Sequence, residues 1–232
     1  MIIGLNCGHT LPDGGSQGAV GFINESTENR RVGKALTEIL ENNGHTVVDC
    51  TNDVASDVNA NLRQIVNMAN GEPIELFVSI HFNAGGGKGV ECYTYSDKSS
   101  VYGTSKKITE NISKLGFANR GAKIRPSLYV LKNTRAPALL VEVCFVDTKS
   151  DVDLYRKVGA EQIAYAIAQA IDENIVIKDI ASTELTEVDE IVQAFVDKGI
   201  ISDKELWLDK LKTDENCYWL ARKCINYIRS VD

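Results

Sequence analysis

The chain has 232 residues, of which 44% are hydrophobic and 25% are charged, as expected for an ordinary globular protein of one or two domains. Its net charge of -7 argues against a surface that binds nucleic acid. No apolar stretch approaches the ~18 residues of a membrane span, and the N-terminus lacks the basic segment and cleavage site of a secretory signal. These features predict a chain that starts in the cytoplasm.

Five short apolar runs predict β-strands in the first three quarters of the chain. Each is rich in β-branched and apolar residues and is bounded by glycines or polar residues, which is typical of strands buried on both faces. The runs are residues 2–7, 45–51, 76–82, 89–96 and 139–146.

Helical patterns alternate with these runs. The segment that ends at Gly44 carries apolar residues at helical spacing, and Gly44 stands in the position of a C-cap. Residues 57–70, 101–115 and 159–175 are also predicted to be helical. Strands separated by helices predict an α/β domain over residues 1–175, with a mostly parallel sheet flanked by helices.

A different organisation follows this domain. Residues 176–183 lose the pattern and are predicted to be a linker, and residues 184–232 predict a small all-α module. Its three helical patterns lie near residues 186–199, 203–211 and 215–230. Aromatic residues at helical spacing are more often the core of a small bundle than a ligand platform. The aromatic residues of the module are Phe195, Trp207, Tyr218, Trp219 and Tyr227.

Two histidines stand at the ends of predicted strands. His81 follows the apolar run of residues 76–80, and His9 follows residues 2–7 and opens a glycine-rich loop. A single histidine in such a place is usually a core residue, but two at two strand ends indicate a functional site. His45 follows the C-capping Gly44, so we expect a surface or helix-terminal residue there.

Two imidazoles suit Zn²⁺, which in catalytic sites takes three protein ligands and leaves the fourth position open. The third ligand should be an acidic residue near the end of the first loop. Glu25, at the start of the long helix, fits this place, and Glu28 is an alternative one turn further on. Asp13 lies so close to His9 that the loop would have to fold back sharply.

A hydrolytic zinc site also needs a group that takes a proton from water and passes it to the leaving group. Glu142 lies inside an apolar strand, where an ionised carboxylate is costly unless it is paired or has a function. A structural salt bridge is the alternative explanation. We predict that Glu142 is the proton carrier.

Four motifs together resemble the zinc-dependent N-acetylmuramoyl-L-alanine amidases of the Amidase_3 type, in particular those of clostridial phage endolysins. They are "NCGHT", "NESTEN" at the start of a helix, "SIHFNA" and "SLYVLKNTRAPALLVEVCFVD", and they span nearly all of the first domain. The resemblance implies hydrolysis of the amide between N-acetylmuramic acid and L-alanine in peptidoglycan. By position it makes His9, Glu25 and His81 the zinc ligands and Glu142 the catalytic glutamate. The family motif E-x-G-F has glycine where this chain has Cys144.

The resemblance also implies partners and a setting for the protein. The second module resembles the small cell-wall-binding segments that follow such catalytic domains, so peptidoglycan and another wall polymer are the expected partners, and self-association through residues 184–232 stays open. A phage endolysin would remain cytoplasmic until it is released to the cell wall. A host autolysin or a sporulation amidase would have the same chemistry. The sequence indicates no substrate-binding residue.

Three other functions compete with this interpretation. A cysteine hydrolase could use Cys7 or Cys144, although six cysteines without CxxC spacing favour reduced, buried thiols. A zinc-containing wall-binding protein without activity would not need Glu142. A muramidase would need two carboxylates across a sugar cleft and no paired histidines.

Overall fold

The computed structural model describes residues 1–176, 191–213 and 221. The chain divides into two compact units, Met1–Ile177 and Lys178–Asp232, which we describe separately. In the described part of the chain, no helix is both long and apolar enough to cross a membrane.

The first unit contains a six-stranded sheet in the order β2-β1-β3-β6-β4-β5. The strands are β1 (Ile2–Cys7), β2 (Thr46–Asp49), β3 (Leu76–Asn83), β4 (Val90–Thr94), β5 (Asn119–Ile124) and β6 (Ala138–Phe145). Four of the five neighbouring pairs are parallel, and only β4 and β6 pair in the antiparallel sense. The predicted α/β class with a mostly parallel sheet is therefore confirmed.

Six helices belong to this unit. They are α1 (Glu25–Asn42), α2 (Val58–Gly71), α3 (Tyr102–Lys114), α4 (Tyr129–Asn133), α5 (Lys149–Val158) and α6 (Ala160–Ile171). Helix α6 packs against both α1 and α3, while α2 and α4 cover an apolar cluster that includes Phe77, Tyr93 and Leu140. Alternate residues of a strand share a face of the sheet. His81, Glu91 and Glu142 therefore lie on the same face as this cluster.

Sequence analysis missed β5, α4 and α5. Strand β5 has the sequence NRGAKI and is half-buried or exposed along its length, because an edge strand covers less of the core than a central one. It therefore lacks an apolar run. Helix α4 has five residues, which is too short for a helical period to show in the sequence.

The second unit has a small apolar core of its own. Residues 191–197 are helical (α7), and α8 spans Lys204–Thr213. Phe195 is buried in this core, and Trp207 packs against it. The predicted third helix near 215–230 lies outside the described residues, except for Ala221. Its aromatic residues Tyr218, Trp219 and Tyr227 lie outside them too. So does the predicted linker at 176–183, except for Val176.

The described cysteines agree with the expectation of reduced, buried thiols. Cys7, Cys50, Cys92 and Cys144 are all free and buried. The remaining two, at positions 217 and 224, lie outside the described residues.

Candidate metal and catalytic site

Three side chains from separate elements converge at the end of the sheet where β1 and β3 finish. Glu25 Oε1 lies 3.2 Å from His9 Nε2 and 3.0 Å from His81 Nδ1. One ligand atom from each of the three residues falls within 4.8 Å of the others. Two imidazole nitrogens and a carboxylate oxygen at this spacing could hold a metal ion.

Helix α1 delivers Glu25 to this site. Asn24 caps the helix by accepting a hydrogen bond from the Thr27 N–H at 3.1 Å, so Glu25 becomes the first helical residue. The Ala19 N–H donates to Glu25 Oε2 at 2.8 Å, and the Phe82 N–H donates to Oε1 at 3.2 Å. The two carboxylate oxygens are thus held from both sides in a buried position.

The charge of Glu25 is set by its neighbours. Burial by itself raises the pKa of this carboxyl, but hydrogen bonds from His81 and His9 outweigh burial and hold the pKa well below its usual range. Burial also lowers the pKa of His81, although the Glu25 carboxylate opposes that shift. The site therefore favours an ionised carboxylate beside a neutral imidazole at His81, which are the protonation states that bind metals.

The backbone at His9 is strained and is held by α1. His9 has a φ of 64°, a left-handed conformation that is uncommon for a residue other than glycine. The Asn29 side chain donates to the Gly8 carbonyl at 3.0 Å, and the Arg30 guanidinium donates to the His9 carbonyl at 3.1 Å. These bonds fix the turn that points His9 towards Glu25.

Two glycines make room for the site. A Cβ at Gly8 would lie 2.1 Å from His81 Cε1, and a Cβ at Gly18 would lie 2.6 Å from Glu25 Oε2. Both distances are far shorter than a van der Waals contact, so neither position accepts a side chain without displacing the site. Sequence analysis missed them, although Gly8 directly precedes His9.

The other candidate ligands lie elsewhere. Glu28 accepts a hydrogen bond from the Tyr155 hydroxyl at 2.9 Å, and Asp13 is exposed in a turn with a φ of 67°. His45 Nε2 lies 3.1 Å from Asp172 Oδ2, with only 7% of the His45 side chain exposed. The His45 N–H donates to the Leu40 carbonyl at 3.1 Å, so His45 lies at the end of α1, which is the helix-terminal position that was expected, while its side chain is largely buried beside Asp172.

Glu142 lies beside the three converging residues. It pairs in register with His81 of β3 on one side and with Glu91 of β4 on the other. Its Oε2 atom is buried and has no hydrogen-bond partner among the described residues. A buried carboxyl oxygen without a partner is rare in proteins and calls for an explanation, and beside a candidate metal site a catalytic role is one.

The surroundings of Glu142 favour its protonated form. Burial raises the pKa of this carboxyl well above its usual range, and the negative charges of Glu25 and Glu91 add to the effect, while Arg125 opposes it. A carboxyl group with a raised pKa can both accept and return a proton near neutral pH.

Glu91 is a second buried carboxylate that sequence analysis missed. It accepts hydrogen bonds from Asn83 Nδ2 at 2.7 Å and from Arg120 Nε at 2.6 Å, and also from the Tyr93 hydroxyl and the Lys123 ammonium. Burial opposes ionisation, but hydrogen bonds from Lys123, Tyr93 and Arg120 outweigh it and lower the pKa to about 2. An acidic residue within an apolar strand, the pattern that identified Glu142, was also present here.

Cys144 fits where the family motif has glycine. The pairing of β3 with β6 shifts between His81 and Asn83, so that β6 has one more residue than β3 at this point. Cys144 lies within this bulge, is fully buried, and is not among the residues with positive φ. The backbone conformation there does not require glycine.

The positions of the cysteines argue against a cysteine hydrolase. Cys7 Sγ packs against α1, where a Cβ added to Gly33 would lie 2.3 Å from it. Burial raises the pKa of Cys7 to about 11 and also raises the pKa of Cys144, so both groups stay as thiols at neutral pH. The thiolate is the reactive form, and neither residue provides it.

Comparisons with known proteins agree on one family. A family model described as N-acetylmuramoyl-L-alanine amidase matches residues 3–173. The endolysin of Bacillus phage SPP1 is 35% identical over 67% of this chain and 59% of its own length. The sporulation-specific N-acetylmuramoyl-L-alanine amidase of Bacillus subtilis is 31% identical over 79% of this chain and 72% of its own length.

Solved structures agree with the fold. The catalytic domain of an endolysin that targets Clostridia difficile has a TM-score of 0.67 and 30% identity to this chain, covering 74% of this chain and 96% of that domain. The chain spans about half the length of other curated relatives that it matches, with 52% coverage of two Clostridium perfringens proteins.

Proposed function

Because the chain belongs to the N-acetylmuramoyl-L-alanine amidase family, we propose that residues 1–175 hydrolyse the amide between N-acetylmuramic acid and L-alanine in peptidoglycan. The observation that carries this proposal is the buried, unpartnered carboxyl oxygen of Glu142 beside the cluster of His9, Glu25 and His81. This arrangement combines a proton carrier with a set of metal ligands, which are the two components of metal-assisted amide hydrolysis.

His9, Glu25 and His81 would hold Zn²⁺, because two imidazoles and one carboxylate are a common ligand set of catalytic zinc. When bound, Zn²⁺ would supply Lewis acidity to the scissile amide and to the attacking water. Asn24, Asn29 and Arg30 hold the ligands or their backbone in place.

Glu142 acts on the proton in this proposal. Its carboxylate would take a proton from the attacking water and pass it to the nitrogen of L-alanine, which leaves as an amine. Its burial and the negative charges of Glu25 and Glu91 raise the pKa of its carboxyl, which favours its acceptance of the proton. A muramidase needs two carboxylates across a sugar cleft. Glu91, the second buried carboxylate, forms ion pairs with Arg120 and Lys123, which argues against that role.

The test is hydrolysis of purified cell wall by the full chain. New N-terminal L-alanine without new reducing sugar ends is the expected product, and chelation should stop its release until Zn²⁺ is restored. Glu142→Gln should keep the metal and lose about 10²–10⁴ in rate, whereas Glu110→Gln, an exposed change on α3, should match the parent. New reducing ends, or a Glu142→Gln variant within about tenfold of the parent, would refute the proposal.

The assignment of the ligands has its own readout. The parent should contain one zinc per chain by elemental analysis, and His9→Ala and His81→Ala should each lose it. A full equivalent of zinc in either variant would refute the ligand set. The same measurement separates the enzyme from a wall-binding protein without activity, since such a protein would bind zinc and release no L-alanine.

We further propose that residues 184–232, within the second unit, bind the cell wall and that the protein is a phage endolysin. The similarity to a phage endolysin supports this origin, and the similarity to a sporulation amidase supports the alternative of a host enzyme with the same chemistry. Release from cells only in the presence of a membrane-permeabilising protein would favour the endolysin.

A further inference from the structure

Three positively charged residues lie on the edge strand β5 or directly after it: Arg120, Lys123 and Arg125. Arg120 and Lys123 both donate to Glu91 Oε2. Arg125 has a different environment: it is exposed, it forms no ion pair among the described residues, and its guanidinium carbon lies 5.4 Å from the centre of the Tyr93 ring. One positive group of this edge is therefore available to a ligand.

The register of the sheet places Arg125 close to Glu142. Glu91 pairs with Glu142, and Tyr93 pairs with Leu140, so Tyr93 lies next to Glu142 on the same face of the sheet. The Tyr93 hydroxyl donates to Glu91, which links the ring to the residue beside Glu142. The Arg125 N–H donates to the Thr94 carbonyl at 2.9 Å, which fixes the backbone that carries the guanidinium.

The two flanks of the site differ in chemistry. On the side of the first loop, Val20 and Phe22 are 65% and 52% exposed, and the neighbouring Ala19 N–H bonds to Glu25. On the side of β5, Arg120 and Lys123 pair with the Glu91 carboxylate, and Arg125 adds a positive charge beside Tyr93, although the whole chain has a net charge of -7. The first flank offers exposed apolar side chains, with the Arg156 guanidinium bonded to the Phe22 carbonyl, and the second offers the Arg125 cation to an anion.

The substrate of the proposed function has a matching asymmetry. The sugar on one side of the scissile amide is neutral, whereas a peptide stem with free carboxyl groups is anionic. We propose that Arg125 binds a carboxylate of the peptide stem, so that the stem crosses Tyr93 and the sugar lies towards Val20 and Phe22. This inference rests on the proposed function and adds the direction in which the substrate lies.

The chemistry of the guanidinium supports this role. Arginine presents a planar fork of N–H donors that matches a carboxylate, and the contact with Tyr93 restricts the Arg125 side chain before the ligand arrives. Less conformational freedom is then lost on binding, which increases affinity.

The experiment compares two soluble N-acetylmuramoyl-tripeptides that differ only in their second amino acid. In one this residue carries a free α-carboxylate, and in the other the carboxylate is replaced by a carboxamide. The parent should cleave the carboxylate form with a kcat/KM about tenfold higher or more, mainly through a lower KM. Arg125→Met should cleave the two forms with equal kcat/KM, because only the carboxylate form loses a contact. Any effect of the Arg125 charge on Glu142 acts on both substrates alike and leaves this ratio unchanged.

A matched control is available on α3. Lys106 is also an exposed cation over a tyrosine, with its ammonium 4.7 Å from the centre of the Tyr102 ring, but α3 carries none of the residues of the site. Lys106→Met changes the net charge by the same amount and should keep the parent's preference. Both variants should contain the parent's amount of zinc and unfold at the parent's temperature.

The outcomes separate the inference from the function on which it rests. Arg125→Met with an unchanged preference, or with equal losses on both substrates, would overturn the inference alone, as would a parent that cleaves both at equal rates. Failure of the parent to release L-alanine from either substrate would overturn the proposed function and the inference together.

Discussion

The space beside the His81 ring exists because residue 8 has no side chain. We predict that Gly8→Ala displaces the imidazole, since the added methyl group would lie 2.1 Å from His81 Cε1. Zinc content and activity should both fall by tenfold or more, in line with the roughly 10–100-fold losses seen when the groups that orient metal ligands are disturbed. Elemental analysis and the L-alanine assay measure these losses.

Gly103→Ala is the control for this prediction. Gly103 lies in α3, has no positive φ, and has no atom within 4 Å of an added Cβ. The variant should keep its metal and should be as stable as the parent or slightly more stable. A Gly8→Ala protein that retains both zinc and activity would show that the ring can move without loss of function.

A second prediction for a single residue concerns Glu91 and the stability of the fold in acid. Its folded-state pKa of about 2 lies below the ordinary value of 4.5, so its ionised form stabilises the fold above about pH 4.5, and this stabilisation is lost as the pH falls towards 2. Glu91→Gln should lower the free energy of unfolding by about 2 kcal/mol at pH 7. It should also make the decline between pH 5 and 3 shallower.

Urea unfolding at several pH values tests this. Glu110→Gln changes an exposed carboxyl on α3 and should retain the parent's slope between pH 5 and 3. Equal slopes for the parent and Glu91→Gln would mean that the ion pairs with Arg120 and Lys123 contribute nothing to acid stability.

At the scale of elements, α1 links stability to metal binding, because its first residue is Glu25 and its second turn holds the backbone of Gly8 and His9. Asn24→Ala removes the cap and should cost about 1 kcal/mol of stability. Since the cap also sets where α1 begins, metal affinity should fall with it. Thermal unfolding and zinc titration measure the two effects.

Helix α2 offers the matched control. Asp57 caps it in the same way, by accepting from the Ala60 N–H at 2.8 Å, but the helix carries none of the proposed ligands. Asp57→Ala should therefore lower stability by a similar amount and leave zinc affinity unchanged. If both variants bind zinc as the parent does, the cap of α1 serves the fold alone.

At the scale of the whole molecule, the two units make truncation a test of the proposed wall anchor. A chain that ends at Ile177 keeps the whole first unit. It should bind zinc and cleave soluble muropeptides like the parent, but it should sediment poorly with intact walls, because a second binding unit raises the local concentration of the enzyme on an insoluble substrate. The second unit fused to a fluorescent protein should label target cells.

The alternative is that the second unit joins two chains. Size-exclusion chromatography of the full and truncated proteins distinguishes the two roles. A dimer that becomes monomeric on truncation, together with unlabelled cells, would refute the anchor and favour assembly. Binding to walls should also survive moderate salt if it does not depend on charge.

Much of this architecture could be predicted from short-range patterns in the sequence. Strands such as β3 and β6 are buried runs, and α1 has a clear helical period with a glycine near its end, so these elements were predicted within a few residues. His9 and His81 were found because strand ends are recognisable locally. Strand β5 and α4 were missed because a half-buried edge strand and a single short turn leave no such pattern.

The tertiary structure decided what depends on residues far apart in the chain. The sequence by itself determined the α/β class and the two histidines. It favoured Glu25 as the third ligand but kept Glu28 as an alternative, because both lie in the first turn of one helix. The packing of α1 turns Glu25 towards His9 and His81 and leaves Glu28 beside Tyr155. Such contacts depend on strand register and helix packing, which local periodicity does not encode.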